Sequence, residues 1–178
     1  MKKLLAFAVA LTALSTLAFA EGLEVGSPVG AFYVKDVTGP AAGTKLCYRC
    51  RYGDRPVISI FARDVNGSVS SLIHEVDAVV GKNQNQDMKA FVVLLTDEPE
   101  AGEEALKKVA SEARVANTPL TTFDGQAGPA PYKISKDAEV TVMMWVDGKL
   151  KVNEAYKAGE LTQEKIASLV GKTSQIVN

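Results

Sequence analysis

Cys47 and Cys50 are the only cysteines in the chain, and two residues stand between them. At that spacing both sulfurs can meet within one turn, either as a dithiol that opens and closes or as a fixed clip. Lys45, Arg49, Arg51 and Arg55 crowd the pair. Positive charge favours thiolate over thiol and so raises the attacking fraction at neutral pH. A bond of this span closes a very small loop and restrains the unfolded chain little, which favours a local or chemical role over a structural staple. Two cysteines are too few for a cysteine-only zinc site, and His74 is the only histidine a mixed site could add. Haem attachment needs a histidine directly after the second cysteine, and Arg51 stands there. No metal and no cofactor is expected.

Other chemistry-bearing residues have simpler readings. His74 lies opposite Leu72, Ile73 and Val76 on a helix wheel, which makes it a solvated residue. Asp97, Glu98, Glu100, Glu103 and Glu104 gather where a helix would begin, where negative charge is favoured by the helix dipole alone. Trp145 with Met143 and Met144 reads as core packing in a strand. No glycine-rich phosphate loop and no serine–histidine–acid set is present.

These residues must be carried by one domain behind a leader. Lys2 and Lys3 precede an apolar run, Leu4 to Leu17, that ends in Ala18-Phe19-Ala20. A basic head, an apolar stretch and a small-x-small end are the parts of a secretory signal peptide, with cleavage expected after Ala20. The 178-residue chain carries 20 basic and 21 acidic residues; losing Lys2 and Lys3 with the leader leaves 18 basic against 21, a formal charge of −3. Residues 21–178 then form one domain, destined for the periplasm or the exterior, where disulfides persist. A mildly acidic balance offers no footprint for nucleic acid. No other apolar run approaches the ~20 residues that cross a bilayer, so no membrane contact is expected after cleavage.

Within that domain, residues Ala31 to Val37 read as a strand, followed by a Gly/Pro/Ala stretch, 38–43, that leads to the cysteines. Val57-Ile58-Ser59-Ile60-Phe61-Ala62 is a short apolar, β-branched run, the pattern of a buried strand. Ser68 is placed to cap a helix whose stripe is Val69, Leu72, Ile73, Val76 and Val80, with Gly81 as its left-handed end. Phe91 to Leu95 is another buried strand, and Leu106, Val109, Ala110 and Ala113 mark a helix ending before Thr118-Pro119. Gln126 to Pro131 reads as a loop. Val140 to Val146 and Lys149 to Val152 are strands joined by Asp147-Gly148, a strong two-residue hairpin signal. The last helix starts at Thr162, with Leu161 and Ile166 as a hydrophobic staple, and ends near Gly171. The order implies an α/β fold: a mixed central β-sheet with helices on both faces, a three-layer sandwich.

This order, with the Cys-Tyr-Arg-Cys motif and the closing hairpin plus helix, resembles the thioredoxin-like superfamily over about residues 26–171. The opening, Gly26 to Val37, is similar to the extra N-terminal strand of its peroxiredoxin and redoxin branch. The segment from Val37 through Cys47-Tyr48-Arg49-Cys50 to Gly53 looks like exported thioredoxin-like proteins of planctomycete-type bacteria. The resemblance implies thiol–disulfide exchange with a protein partner, Cys47 attacking and Cys50 resolving, with Lys45, Arg49 and Arg51 biasing the thiolate.

Two departures from the family pattern are visible. In redox-active thioredoxins the motif follows the first central strand and opens the next helix; here it precedes that strand, and 65–68 holds no cysteine. The family's cis-proline has no counterpart before Val140, where Asp137-Ala138-Glu139 stands, and without proline a cis bond costs ~3 kcal/mol. Pro40, Thr44 and Cys47 also match a peroxiredoxin spacing in which the threonine hydroxyl helps hold peroxide against the thiolate. Three readings follow: exchange at Cys47/Cys50, a non-catalytic binding module with a local disulfide, and a thiol peroxidase that uses Thr44.

Overall fold

A computed structural model of the chain describes residues 22–177. The leader expected over residues 1–20 lies outside the described residues. The elements are β1 (Val34–Asp36), β2 (Lys45–Leu46), α1 (Tyr48–Tyr52), β3 (Val57–Ala62), α2 (Gly67–Lys82), β4 (Lys89–Thr96), α3 (Pro99–Glu112), β5 (Leu120–Asp124), β6 (Val140–Val146), β7 (Lys149–Tyr156) and α4 (Gln163–Gly171). Short 3-10 turns occupy Gln84–Gln86, Ala130–Tyr132 and Lys172–Gln175. The strands form one mixed sheet in the order β2-β1-β5-β4-β3-β6-β7. β3, β4 and β5 are parallel; the remaining neighbours pair antiparallel.

The two crossovers, β3–α2–β4 and β4–α3–β5, step across the sheet in one direction. Right-handed connections therefore place α2 and α3 on the same face. Side chains agree: Leu72, Ile73 and Val76 of α2, Leu106 and Val109 of α3, and Ile166 and Leu169 of α4 share one core with Ile58, Ile60, Val92 and Val142. The opposite face is covered by α1, the 130–132 turn and the N-terminal segment. Among the described residues the three layers are therefore unequal, with the long helices α2, α3 and α4 on one side.

That second face is aromatic. Tyr48 stacks on Phe91 at 5.4 Å between ring centroids, Tyr52 lies 5.1 Å from Tyr48, and Trp145 meets Phe91 edge-on at 6.0 Å. Phe32 packs edge-on against Tyr132 at 4.8 Å. β3 is buried at every position, as its largely apolar run predicts, and the one polar residue in it, Ser59, donates its hydroxyl to the Met143 carbonyl at 3.3 Å. Trp145, Met143 and Met144 are core residues, as expected.

Several boundaries differ from the expected ones. The first strand is only Val34–Asp36. Asn66, not Ser68, caps α2, its side chain accepting the Val69 N–H. Gly81 lies inside that helix, and the C-terminus falls at Lys82 because Asn83 donates from its backbone and side chain to the last carbonyls. Asp147 and Gly148 both have positive φ (54° and 68°), the geometry of the expected hairpin turn. Thr162 caps α4, its side-chain oxygen accepting from the Lys165 N–H. No cis peptide bond occurs among the described residues.

Tyr48, Tyr52 and Tyr132 are buried phenols, and burial is the first cause that holds each above the ordinary tyrosine value of 10.0. Unfolded phenols ionise near that value while these stay neutral. Their contribution to stability is therefore complete below it and is lost as pH rises beyond it. The urea midpoint is expected to fall steeply above about pH 10. Tyr132→Phe should flatten that fall relative to wild type; equal slopes in the two proteins would contradict the assignment.

Candidate functional site

The site begins at the sheet edge. β2 is the terminal strand, two residues long, with Lys45 opposite Lys35 and Leu46 opposite Val34. The chain then leaves the sheet and turns into α1. Cys47 is the N-cap of that short helix, and its Sγ accepts the Cys50 N–H at 3.0 Å. Cys47 and Cys50 are joined in a disulfide with their Cα atoms 5.2 Å apart. Cys47 is 7% exposed, whereas Cys50 is exposed. Helix α1 precedes β3, and the turn after β3 is occupied by the Asn66 cap.

A five-residue helix is too short to stand alone, so its position must come from its surroundings. The main anchor is Asp36, fully buried at the end of β1. Its carboxylate accepts the Gly39 N–H at 2.7 Å, the Ala41 N–H at 2.8 Å and the Tyr48 hydroxyl at 2.9 Å. A buried carboxylate is tolerable only when its oxygens are filled this way. Gly39 is needed here because a Cβ would stand 2.4 Å from the Tyr48 hydroxyl oxygen and 2.7 Å from both Asp36 oxygens. Burial, followed by the neighbouring Asp36 carboxylate, pushes the Tyr48 phenol far above its usual range, so it remains the donor. At the other end of α1, the Tyr52 hydroxyl donates to the Ala90 carbonyl at 3.3 Å.

The basic residues divide into two groups. Arg49 donates through Nε to the Val29 carbonyl and through a terminal nitrogen to the Gly53 carbonyl, each at 3.0 Å. It therefore ties α1 to the N-terminal segment. Its guanidinium also lies over the β6–β7 turn, 2.4 Å from where a Gly148 Cβ would be. Arg55 holds the Tyr52 carbonyl at 3.0 Å and pairs with Asp87. Lys45 and Arg51 are exposed, and Arg51 is the charge nearest Cys50 in sequence that is not engaged in this bracing. Thr44 is exposed, and its hydroxyl donates to the Ala41 carbonyl at 2.7 Å. His74 is exposed on α2, its Nδ1 3.0 Å from the Ala113 carbonyl.

Asp36 was not singled out from the sequence, though a signal existed. An aspartate with Gly39 and Pro40 three and four residues on has the spacing of an Asp-capped turn. Helix α1 carries no start signal in the sequence, since a cysteine N-cap is not among the usual capping residues.

No protein-family profile matches the chain, and no curated protein matches it in sequence. Solved structures do match in three dimensions. A candidate protein disulfide isomerase from Bacteroides thetaiotaomicron superposes with a TM-score of 0.66 at 18% identity, covering 87% of this chain and 91% of its own. The thioredoxin domain of a thiol-disulfide oxidoreductase from Bacteroides vulgatus gives 0.63 at 13%, covering 88% and 99%. A peroxidoxin from Mycobacterium tuberculosis gives 0.62 at 17%, covering 88% and 99%. The chain has a thioredoxin-like fold.

The Asp36 anchor makes two variants informative. Tyr48→Phe removes one of three donors to a buried carboxylate and should cost about 1.5–3 kcal/mol in urea unfolding. Gly39→Ala forces a methyl into the Asp36–Tyr48 contact and should cost about 1–3 kcal/mol. A neutral result in both would mean that the carboxylate is not the anchor of α1.

Proposed function

We propose that this is an exported thiol–disulfide exchange protein acting through Cys47 and Cys50 on protein thiol or disulfide partners. The observation that carries the reading is a closed Cys47–Cys50 bond at the sheet edge with one member exposed. Export rests on the leader sequence, whose basic head, apolar run and Ala18-Phe19-Ala20 end fit a cleaved signal. The fold supports exchange as well, since it is shared with the Bacteroides vulgatus oxidoreductase domain.

The competing reading makes the bond a clip in a binding module. Three features argue for exchange instead. Helix α1 is already fixed by the Asp36–Tyr48 hydrogen bond, by the two Arg49 contacts and by stacking on Phe91. A bond across so short a loop adds little to that. Its exposed member is open to a partner. The pair opens α1 before β3, and on this reading the chemistry takes place there rather than at the position after the central strand that the family resemblance implies. Lys45 and Arg51 remain as the exposed cations that bias the thiolate and attract an anionic attacker. A peroxidase reading is weaker because the Thr44 hydroxyl donates to Ala41 within its own loop.

Insulin reduction driven by a dithiol reductant tests the reading. Wild type should accelerate it and the Cys47→Ser/Cys50→Ser protein should not, while the two keep similar urea midpoints. An unchanged rate in the double variant, or a reduction potential far below about −300 mV, would favour the clip. Secretion is tested separately: the exported protein should begin at Glu21 when sequenced from its N-terminus.

A further inference from the structure

We infer that exchange enters through Cys50 and leaves the charge on Cys47, the reverse of the order the family resemblance implies. The inference rests on the exchange reading and assigns its two sulfurs. A thiolate attacks a disulfide roughly along the extension of the S–S axis, so the attacked sulfur needs open space behind it. Cys50 is the exposed member of the pair, the one a partner's thiolate can reach from solvent. Cys47 is buried: it is 7% exposed, between half-buried Leu46 and Tyr48 at 1%.

The leaving side is equally asymmetric. The Cys50 N–H already points at the Cys47 sulfur from 3.0 Å. A negative charge arriving on Cys47 therefore meets a donor in place, and a hydrogen bond to a charged acceptor is stronger than one to a neutral one. Tyr48, the next residue, is held by Asp36, so Cys47 does not have to move when the bond opens. Arg51, the next residue in the chain after Cys50, is exposed and adds positive charge that favours an incoming anion.

The chemistry balances as follows. A partner thiolate attacks Cys50 Sγ; a partner–Cys50 bond forms, the Cys47–Cys50 bond breaks, and Cys47 takes the electron pair as thiolate. A second thiolate of the partner then attacks its own sulfur in the mixed disulfide, releasing Cys50 as thiolate. The partner dithiol is oxidised by two electrons, and this chain's disulfide is reduced by two. In the opposite direction, Cys50 thiolate attacks a partner disulfide. Cys47 thiolate then attacks Cys50 Sγ and expels the partner's sulfur.

The test uses the mature protein with glutathione and with 5,5′-dithiobis(2-nitrobenzoate). Oxidised wild type is mixed with reduced glutathione, quenched with an alkylating agent and mapped by tandem mass spectrometry. Glutathione should be found on Cys50 and the alkyl group on Cys47. In parallel, reduced Cys47→Ser, which retains Cys50, should react with the nitrobenzoate reagent about ten-fold or more faster than reduced Cys50→Ser. The difference should vanish when both variants are unfolded in guanidinium. Glutathione on Cys47, or equal folded-state rates, would overturn the order while leaving exchange standing. No adduct on either sulfur of the folded protein, with normal reaction once unfolded, would overturn both the order and the exchange reading.

Discussion

A carboxylate sealed from water has to be surrounded by donors, and in this protein that requirement organises the region around the cysteines. Asp36 ends β1, and its oxygens gather the Gly39 and Ala41 amides and the Tyr48 hydroxyl. One side chain thereby sets the path of the 38–43 segment, the return of the chain as β2 and the seating of α1. Burying a charge without such partners costs several kcal/mol, and the three donors offset that penalty. Once they are in place, the cysteine turn has very little freedom left.

The rest of the frame follows from how the sheet is covered. Two crossovers stepping the same way put α2 and α3 on one face, and α4 joins them there. The other face is left to short elements, and only large side chains let short elements bury enough area. Tyr48, Tyr52, Phe91, Tyr132 and Trp145 meet this need. Residues flanking the cysteines are thus both core and site. Tyr48 is the clearest case, stacked on Phe91 at its ring and bonded to Asp36 at its hydroxyl.

Elements defined by their own pattern were legible in the sequence. Val57–Ala62 declares a buried strand, Asp147-Gly148 declares a turn, and Thr162 with Leu161 and Ile166 declares the start of a helix. Elements defined by their neighbours were not. Two of the five β5 residues are threonine, and the strand joins the core because Thr121 donates its hydroxyl to the Val92 carbonyl at 2.6 Å. β2 exists only by pairing with β1, and α1 only by its contacts. The cap of α2 shows the limit at single-residue scale: Asn66 and Ser68 are both able acceptors, and backbone geometry selects the first. The cysteine pair itself was plain in the sequence. Its unequal exposure was not, because that depends on which side of a five-residue helix meets the sheet.

The aromatic face also supplies its own optical probe. Trp145 is the only tryptophan in the chain, and it lies in edge contact with Phe91, on whose ring Tyr48 is stacked. Its emission therefore reports the floor directly beneath the cysteine turn, without a label. A redox cycle that left α1 seated would leave that signal almost still, and one that lifted the helix would shift it toward that of a wetter indole. The fluorescence of a single residue thus separates a change of bonding at the surface from a change of packing below it.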